Sequence, residues 1–150
     1  MPNAARDITG HCVHPGLRRL AKEFGAVERL RPRFTCDAAA AYDAKDLEGL
    51  AEVLKSCPPP LLSLGLIQIY HGHLALAADD TENAIHAYLA AANSWPGDAA
   101  PFYNAAIELA ELGRWDEAAA VVARAPASFQ NIEVCRSTAR IIWARCLNEK

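Results

Sequence analysis

Leu112-Gly113-Arg114-Trp115-Asp116-Glu117-Ala118 reads as a tight turn between two helices. Before it, Ala99 to Leu112 carries apolar residues at helical spacing, and after it Trp115 to Ala125 does the same. Thirty-four residues upstream the pattern recurs: Gly72 aligns with Ala106, Glu82 with Asp116, Ala84 with Ala118, Ile85 with Ala119, Tyr88 with Val122 and Ala91 with Ala125. The stretch 64 to 93, broken near Asp79-Asp80, therefore reads as a second pair of helices. The period has a packing logic. Small residues (Gly72 and Ala84; Ala106 and Ala118) stand where the two helices of a unit touch, and Tyr88 and Val122 fill the space behind them.

Composition points the same way. The 150 residues include 31 alanines against 4 Phe, 3 Trp and 4 Tyr, so the core must be made by closely approaching helices. Sandwiches and barrels, which draw on β-branched and aromatic residues, are disfavoured. The fold class expected is all-α, built of stacked helix hairpins.

These residues and their spacing resemble the tetratricopeptide repeat. The unit from Gly65 to Asp98 carries Gly72, Ala84, Tyr88, Ala91 and Pro96 at the family's spacing, and the next carries Phe102, Ala106, Leu109, Gly113, Trp115, Ala118 and Ala125. The sequence departs from the family at His71, where a large apolar residue is usual, at Asp79, which replaces the turn glycine, and at Pro126, which comes early. Backward extension to Arg31 matches only Phe34, Ala38, Leu47 and Leu54; forward extension to Glu133 gives a single helix containing Trp143. The organisation expected is thus an N-terminal helical arm over 1–30 and a repeat domain over 31–150. Within it lie repeats at 64–98 and 99–125 and a capping helix at 132–147, in the manner of an α-solenoid with short N-terminal helices.

Those short helices follow from local punctuation. Pro15 and Gly16 precede Leu17, Leu20, Ala21 and Phe24, and Gly25 is expected to end that helix; Ala26 to Leu30 extends it until Pro32 interrupts. Asp37 is expected to cap Ala38 to Ala44 and Asp46 to cap Leu47 to Lys55, with Pro58-Pro59-Pro60 as the stop. Charge and apolar periodicity in the first 30 residues fit either a dimerising helix, and so a homodimer, or a flexible arm.

The resemblance implies that the first helix of each unit lines a concave groove. Helical spacing places Leu66, Ile69, Tyr70, His73 and Ala77 on one stripe and Ala100, Tyr103, Asn104, Ile107 and Glu111 on the next. Apolar and aromatic stripes with a few polar hooks suit a peptide or protein client, with Asn104 or His73 orienting it. His73 is read as a groove residue and His71 as a packed one. Cochaperones of the family clamp a terminal carboxylate with basic residues and asparagines; here Ile69, His73, Val134 and Thr138 occupy those places, so that clamp is not expected. The order of elements, with Ala84-Ile85-His86-Ala87-Tyr88 and Pro101-Phe102-Tyr103-Asn104-Ala105-Ala106, also resembles the class II chaperones of bacterial type III secretion, which hold translocators before export.

Other classes of function are less well supplied. Residues 61 to 130 hold Arg114 and Arg124 against eight acidic side chains, and an acidic body repels phosphate backbones, so no nucleic-acid partner is expected. The basic cluster Arg18, Arg19, Lys22, Arg29, Arg31 and Arg33 is interleaved with Glu23 and Glu28 and reads as a solvated helix face. The polar start Met1-Pro2-Asn3-Ala4-Ala5-Arg6-Asp7 and an apolar run no longer than Leu61 to Tyr70 predict a cytoplasmic protein without membrane insertion. The five cysteines, Cys12, Cys36, Cys57, Cys135 and Cys146, form no C-x-x-C pair and read as reduced and mostly buried. His11-Cys12-Val13-His14 could supply metal ligands, leaving a metal- or thiol-dependent protein as one alternative. A scaffold subunit using its convex or end surfaces is the other. No phosphate loop, nucleophile elbow or H-E-x-x-H motif occurs, so neither catalysis nor a cofactor is expected.

Overall fold

A computed structural model describes the backbone of residues 15–148 and the side chains of residues 29–148. Among the described residues the chain is helical throughout, without strands, and each helix packs on helices near it in sequence. The elements are α1 (Pro15–Asp43), α2 (Leu47–Lys55), a 3-10 turn (Pro59–Leu61), α3 (Gly65–Ala77), α4 (Thr81–Ser94), α5 (Ala100–Glu111), α6 (Trp115–Arg124), the short α7 (Ala127–Asn131) and α8 (Glu133–Asn148). No described helix is long and apolar enough to cross a membrane.

Three of the connections are the same turn. Lys45, Asp79 and Gly113, each 34 residues after the last, have φ of 58°, 58° and 72°. In each case the amide of the next residue closes the preceding helix with a 2.9 Å bond: Asp46 to the Ala41 carbonyl, Asp80 to Ala75, Arg114 to Leu109. A left-handed residue that reverses the chain while satisfying the last free carbonyls is the usual way to end a helix. Two of the three then start the next helix with a side-chain cap, Asp46 Oδ1 accepting from the Gly49 amide at 2.8 Å and Asp80 Oδ1 from the Asn83 amide at 3.2 Å. The pairs α1/α2, α3/α4 and α5/α6 are therefore equivalent hairpins, including the first, which sequence matching supports only weakly.

The N-terminal helices differ from expectation. Neither Gly25 nor Pro32 divides them, and α1 runs unbroken for 29 residues. Proline removes one helical hydrogen bond but leaves the following turns intact. Here those turns are anchored by Phe34, Ala38, Ala39 and Ala41 packing with Leu50, Leu54 and Leu61, while the Thr35 hydroxyl donates to the Arg31 and Pro32 carbonyls. Asp37 is consequently no cap: it lies mid-helix, 3.6 Å from Arg33 one turn earlier.

In the α3/α4 hairpin, the closest approach is set by one residue of the first helix, Gly72. Ala38, Gly72 and Ala106, again 34 apart, are all buried, as are Leu54, Tyr88 and Val122 of the second helices. A Cβ added at Gly72 would stand 2.3 Å from Tyr88 Cε1, so only glycine admits the tyrosine ring. The core forms two clusters, one around Leu50, Leu61 and Ile67, the other running from Ile85 through Phe102 and Leu109 to Phe129 and Ile142. Polar ties join successive hairpins: Arg114 Nη1 donates to both carboxylate oxygens of Glu82 at 3.0 Å, and Arg124 Nη2 to Asn93 Oδ1 at 2.8 Å. The last helix, α8, is held to α6 by Cys146 Sγ donating to Asp116 Oδ1 at 2.9 Å and by Arg145 over the Trp115 ring at 5.8 Å. Of the described cysteines, Cys57, Cys135 and Cys146 are buried and Cys36 is exposed, none in a disulfide.

Candidate functional site

Two residues of the α3 stripe are buried. Ile69 and Tyr70 keep only 6% and 8% of their surface, Ile69 entering the larger core cluster and Tyr70 the smaller. Tyr42 near the end of α1 lies beside Tyr70, their rings 5.6 Å apart, and is stacked on His73 at 4.7 Å with an 18° interplanar angle. His73 Nδ1 is 2.8 Å from the Tyr88 hydroxyl. Burial lowers the His73 pKa and raises that of Tyr88, the Glu108 carboxylate adding to the latter, so near neutrality the pair is uncharged. Either the phenol donates to an unprotonated Nδ1, or Nδ1–H donates to the phenol oxygen.

The hydrogen bond expected of His71 is made by His73, and both histidines are half-buried. His73 is the hydrogen-bonded, packed one, because Gly72 lets Tyr88 reach it. His71 is half-buried, and its pKa is likewise lowered by burial. Leu66 is half-buried against the smaller cluster, and Ala77 is exposed. Of the α3 stripe, Tyr70 and His73 are brought together, rings 6.2 Å apart, inside an aromatic cluster rather than on a free surface.

The stripe on α5 is more open. Ala100 and Glu111 are exposed, and Tyr103, Asn104 and Ile107 half-buried. Burial and the neighbouring Glu111 charge raise the pKa of Glu108, one turn beyond Asn104 on the same helix. Ala100 and Tyr103 line a cavity of 340 Å³ with Asp98, Ile132, Val134 and Cys135. Val134 and Ile141 of α8 are 52% and 60% exposed, and further exposed apolar side chains stand at Tyr42, Leu47, Trp95 and Leu112. A second cavity, of 480 Å³, opens beside α1 and the start of α3, lined by Arg31, Thr35, Leu64, Leu66, Ser94 and Trp95.

Several of these residues escaped the sequence reading. Tyr42 could have been found by carrying the 34-residue step back from Leu76, and Ile132 by carrying it forward from Asp98. Arg31, Thr35 and Trp95 had no such signal, since their cavity depends on α1 continuing through Pro32. Among the described residues no group of three or more His, Cys, Asp or Glu side chains is arranged to hold a metal ion. His11, Cys12 and His14 lie outside the described residues, as does any dimer contact made by residues 1–14. No protein-family model, no curated protein and no solved structure matches the chain.

Proposed function

We propose that the chain is a non-catalytic protein-interaction module of the tetratricopeptide type, holding a peptide or protein segment against the face formed by the first helices of its hairpins. The observation that supports this reading is the threefold turn at Lys45, Asp79 and Gly113, which recurs at the repeat's 34-residue period; the reading takes the first helices of the three hairpins to share one side. On that side, half-buried Tyr103 and Ile107 and exposed Val134 and Ile141 offer apolar area, with the Asn104 amide able to bond a peptide backbone. The acidic middle of the chain favours a protein over a nucleic acid. Holding a secreted translocator before export in the cytoplasm is the specific form suggested by the resemblance to class II secretion chaperones.

A second reading has an observation of its own. Trp143 and Leu147, 43% and 72% exposed near the end of α8, suit a scaffold subunit that docks by its end. Co-purification from the source cells identifies the bound chain, and titration of that chain separates the readings. Tyr103→Ala with Asn104→Ala should weaken binding with helical content unchanged; unaltered affinity sinks the groove, and sensitivity to Trp143→Ala instead favours the end surface.

A further inference from the structure

His73 stands where the two core clusters meet. Its ring has a neighbour in each: Tyr70 of the smaller cluster at 6.2 Å and Tyr88 of the larger at 5.6 Å. Tyr42, carried by the first hairpin, is stacked on one face of the imidazole at 4.7 Å. One repeat further on, the residues equivalent to Tyr42, His73 and Tyr88 are Leu76, Ile107 and Val122. Leu76 packs against the larger cluster, to which Val122 belongs, so the second junction lies within one apolar core. The first junction is instead a seam between two cores, with an imidazole in it.

The bond from His73 to Tyr88 has one sense. Among the described residues Nδ1, at 2.8 Å, is the only hydrogen-bond partner of the Tyr88 hydroxyl. A phenol that is 1% exposed needs an acceptor for its proton, so it donates to Nδ1 and the imidazole proton sits on Nε2. Protonation of Nδ1 turns the acceptor into a donor. The phenol oxygen can accept from it, but the phenol proton is then buried without a partner, and the new charge calls for water. Tyr70 and Tyr88 are fixed in their clusters, whereas Tyr42, 41% exposed near the end of α1, is free to swing aside. The carboxylates whose charge reaches the seam are Asp43, exposed beside Tyr42 on α1, and Glu108 of α5. Neither is bonded to His73, and burial, with the Glu111 charge, draws Glu108 toward its neutral form. His71 stands on the opposite side of α3.

We propose that Tyr42 is an acid-operated latch between the first two hairpins: a proton taken up by His73 frees Tyr42, and α1/α2 parts from α3 while α5 and α6 stay folded. Burial holds His73 below its ordinary value of 6.5, so the opened form binds the proton more tightly than the closed one. Closure is therefore complete above that value and weakens by about tenfold per pH unit below it, until the folded value is passed. The latch is independent of what the groove holds.

Hydrogen exchange of the full chain tests this, read by mass spectrometry at about pH 7.5 and about pH 5.5 and divided by the intrinsic rate at each pH. Peptides from α2 and from α1 beyond Phe34 should lose about tenfold in protection at the lower pH, with α5 and α6 unchanged. His73→Asn, whose amide oxygen can accept from the Tyr88 hydroxyl but takes up no proton, should abolish the difference. Tyr88→Phe, which removes the hydroxyl proton, should reduce it. By NMR, His73 should titrate below 6.5 in the parent chain and move up toward 6.5 in Tyr42→Ala, with His71 unmoved. Circular dichroism checks that each variant keeps its helical content, and should His73→Asn fail to fold, Tyr88→Phe and Tyr42→Ala decide. An equal loss of protection in all three hairpins, an undiminished loss in His73→Asn or Tyr88→Phe, or a His73 titration indifferent to Tyr42→Ala overturns the latch.

Discussion

Alanine at Gly72 should destabilise the protein even though alanine is the better helix former. The new Cβ would lie 2.3, 2.7 and 2.8 Å from Tyr88 Cε1, Cδ1 and Cζ, and Tyr88, 1% exposed, has no room to retreat. Overpacking of this kind costs about 1–3 kcal/mol. Turning the ring aside also breaks the 2.8 Å bond to His73, a loss of about 1 kcal/mol. Against these stands a gain of about 1 kcal/mol in helix propensity. The net loss is about 1–3 kcal/mol, which for a chain of this size lowers Tm by about 3–10 °C. Urea and thermal melts followed by circular dichroism measure it. The decisive comparison uses Tyr88→Leu, which places in this hairpin the residue that stands 34 positions earlier, Leu54. In that background Gly72→Ala should be neutral or stabilising, a coupling of about 2 kcal/mol between the two sites. An equal cost of Gly72→Ala with tyrosine or leucine at position 88 would refute the close-approach argument.

Further outcomes follow from the turns and the buried histidines. Asp79→Gly should raise stability by about 0.5–1 kcal/mol, since it relieves a left-handed φ of 58° at the place where Gly113 stands in the next hairpin; a loss in urea melts would contradict this. Asp80→Ala removes the carboxylate that accepts from the Asn83 amide and should cost about 1 kcal/mol; a midpoint equal to that of the parent chain would show the cap to be idle. Burial holds His73 and His71 below their ordinary value of 6.5, so on acidification the unfolded chain takes up protons first. Their contribution is full above pH 6.5 and declines as pH falls through it toward the folded values. Glu108, raised by burial and by Glu111, acts in the opposite sense: its contribution is present at low pH and fades as pH rises through its folded value. The urea midpoint should therefore fall between about pH 7.5 and about pH 5.5, and His73→Gln should flatten that fall; an unchanged slope in the variant would remove His73 as its source.

What could be read from the sequence was whatever repeats locally. The small residues at 72 and 106, the cap Asp46, the break at Asp79-Asp80 and the turn at Gly113 are each decided within a few residues, and the structure has them as read. The first hairpin was faint because Lys45 stands where a turn glycine would announce it, and the geometry survives because lysine tolerates the left-handed position when the helices on either side are packed. Pro32 misled for a related reason: one missing hydrogen bond is outweighed by the burial of Ala38 and its neighbours on α2, which no local rule can see. On α3 helical spacing says which residues share a face but not what lies beside them. Tyr42, 28 residues before Tyr70, contributes the ring that packs on Tyr70 and His73. Glycine at 72 was read as a contact residue, yet its larger effect, admitting the Tyr88 hydroxyl to His73, depends on a side chain 16 positions away.

Among the described residues the helices pack on those near them in sequence, and the first hairpin meets the last chiefly through the middle one. Such a chain can open from either end without disturbing the rest, and its termini should exchange their amide hydrogens sooner than the α3/α4 hairpin. A partner segment lying across all three hairpins would add a tie between parts that meet little among the described residues. Occupancy would then slow exchange at both ends together, turning a series of loosely coupled hairpins into one cooperative body, and the ligand would act as the missing long-range contact of the fold.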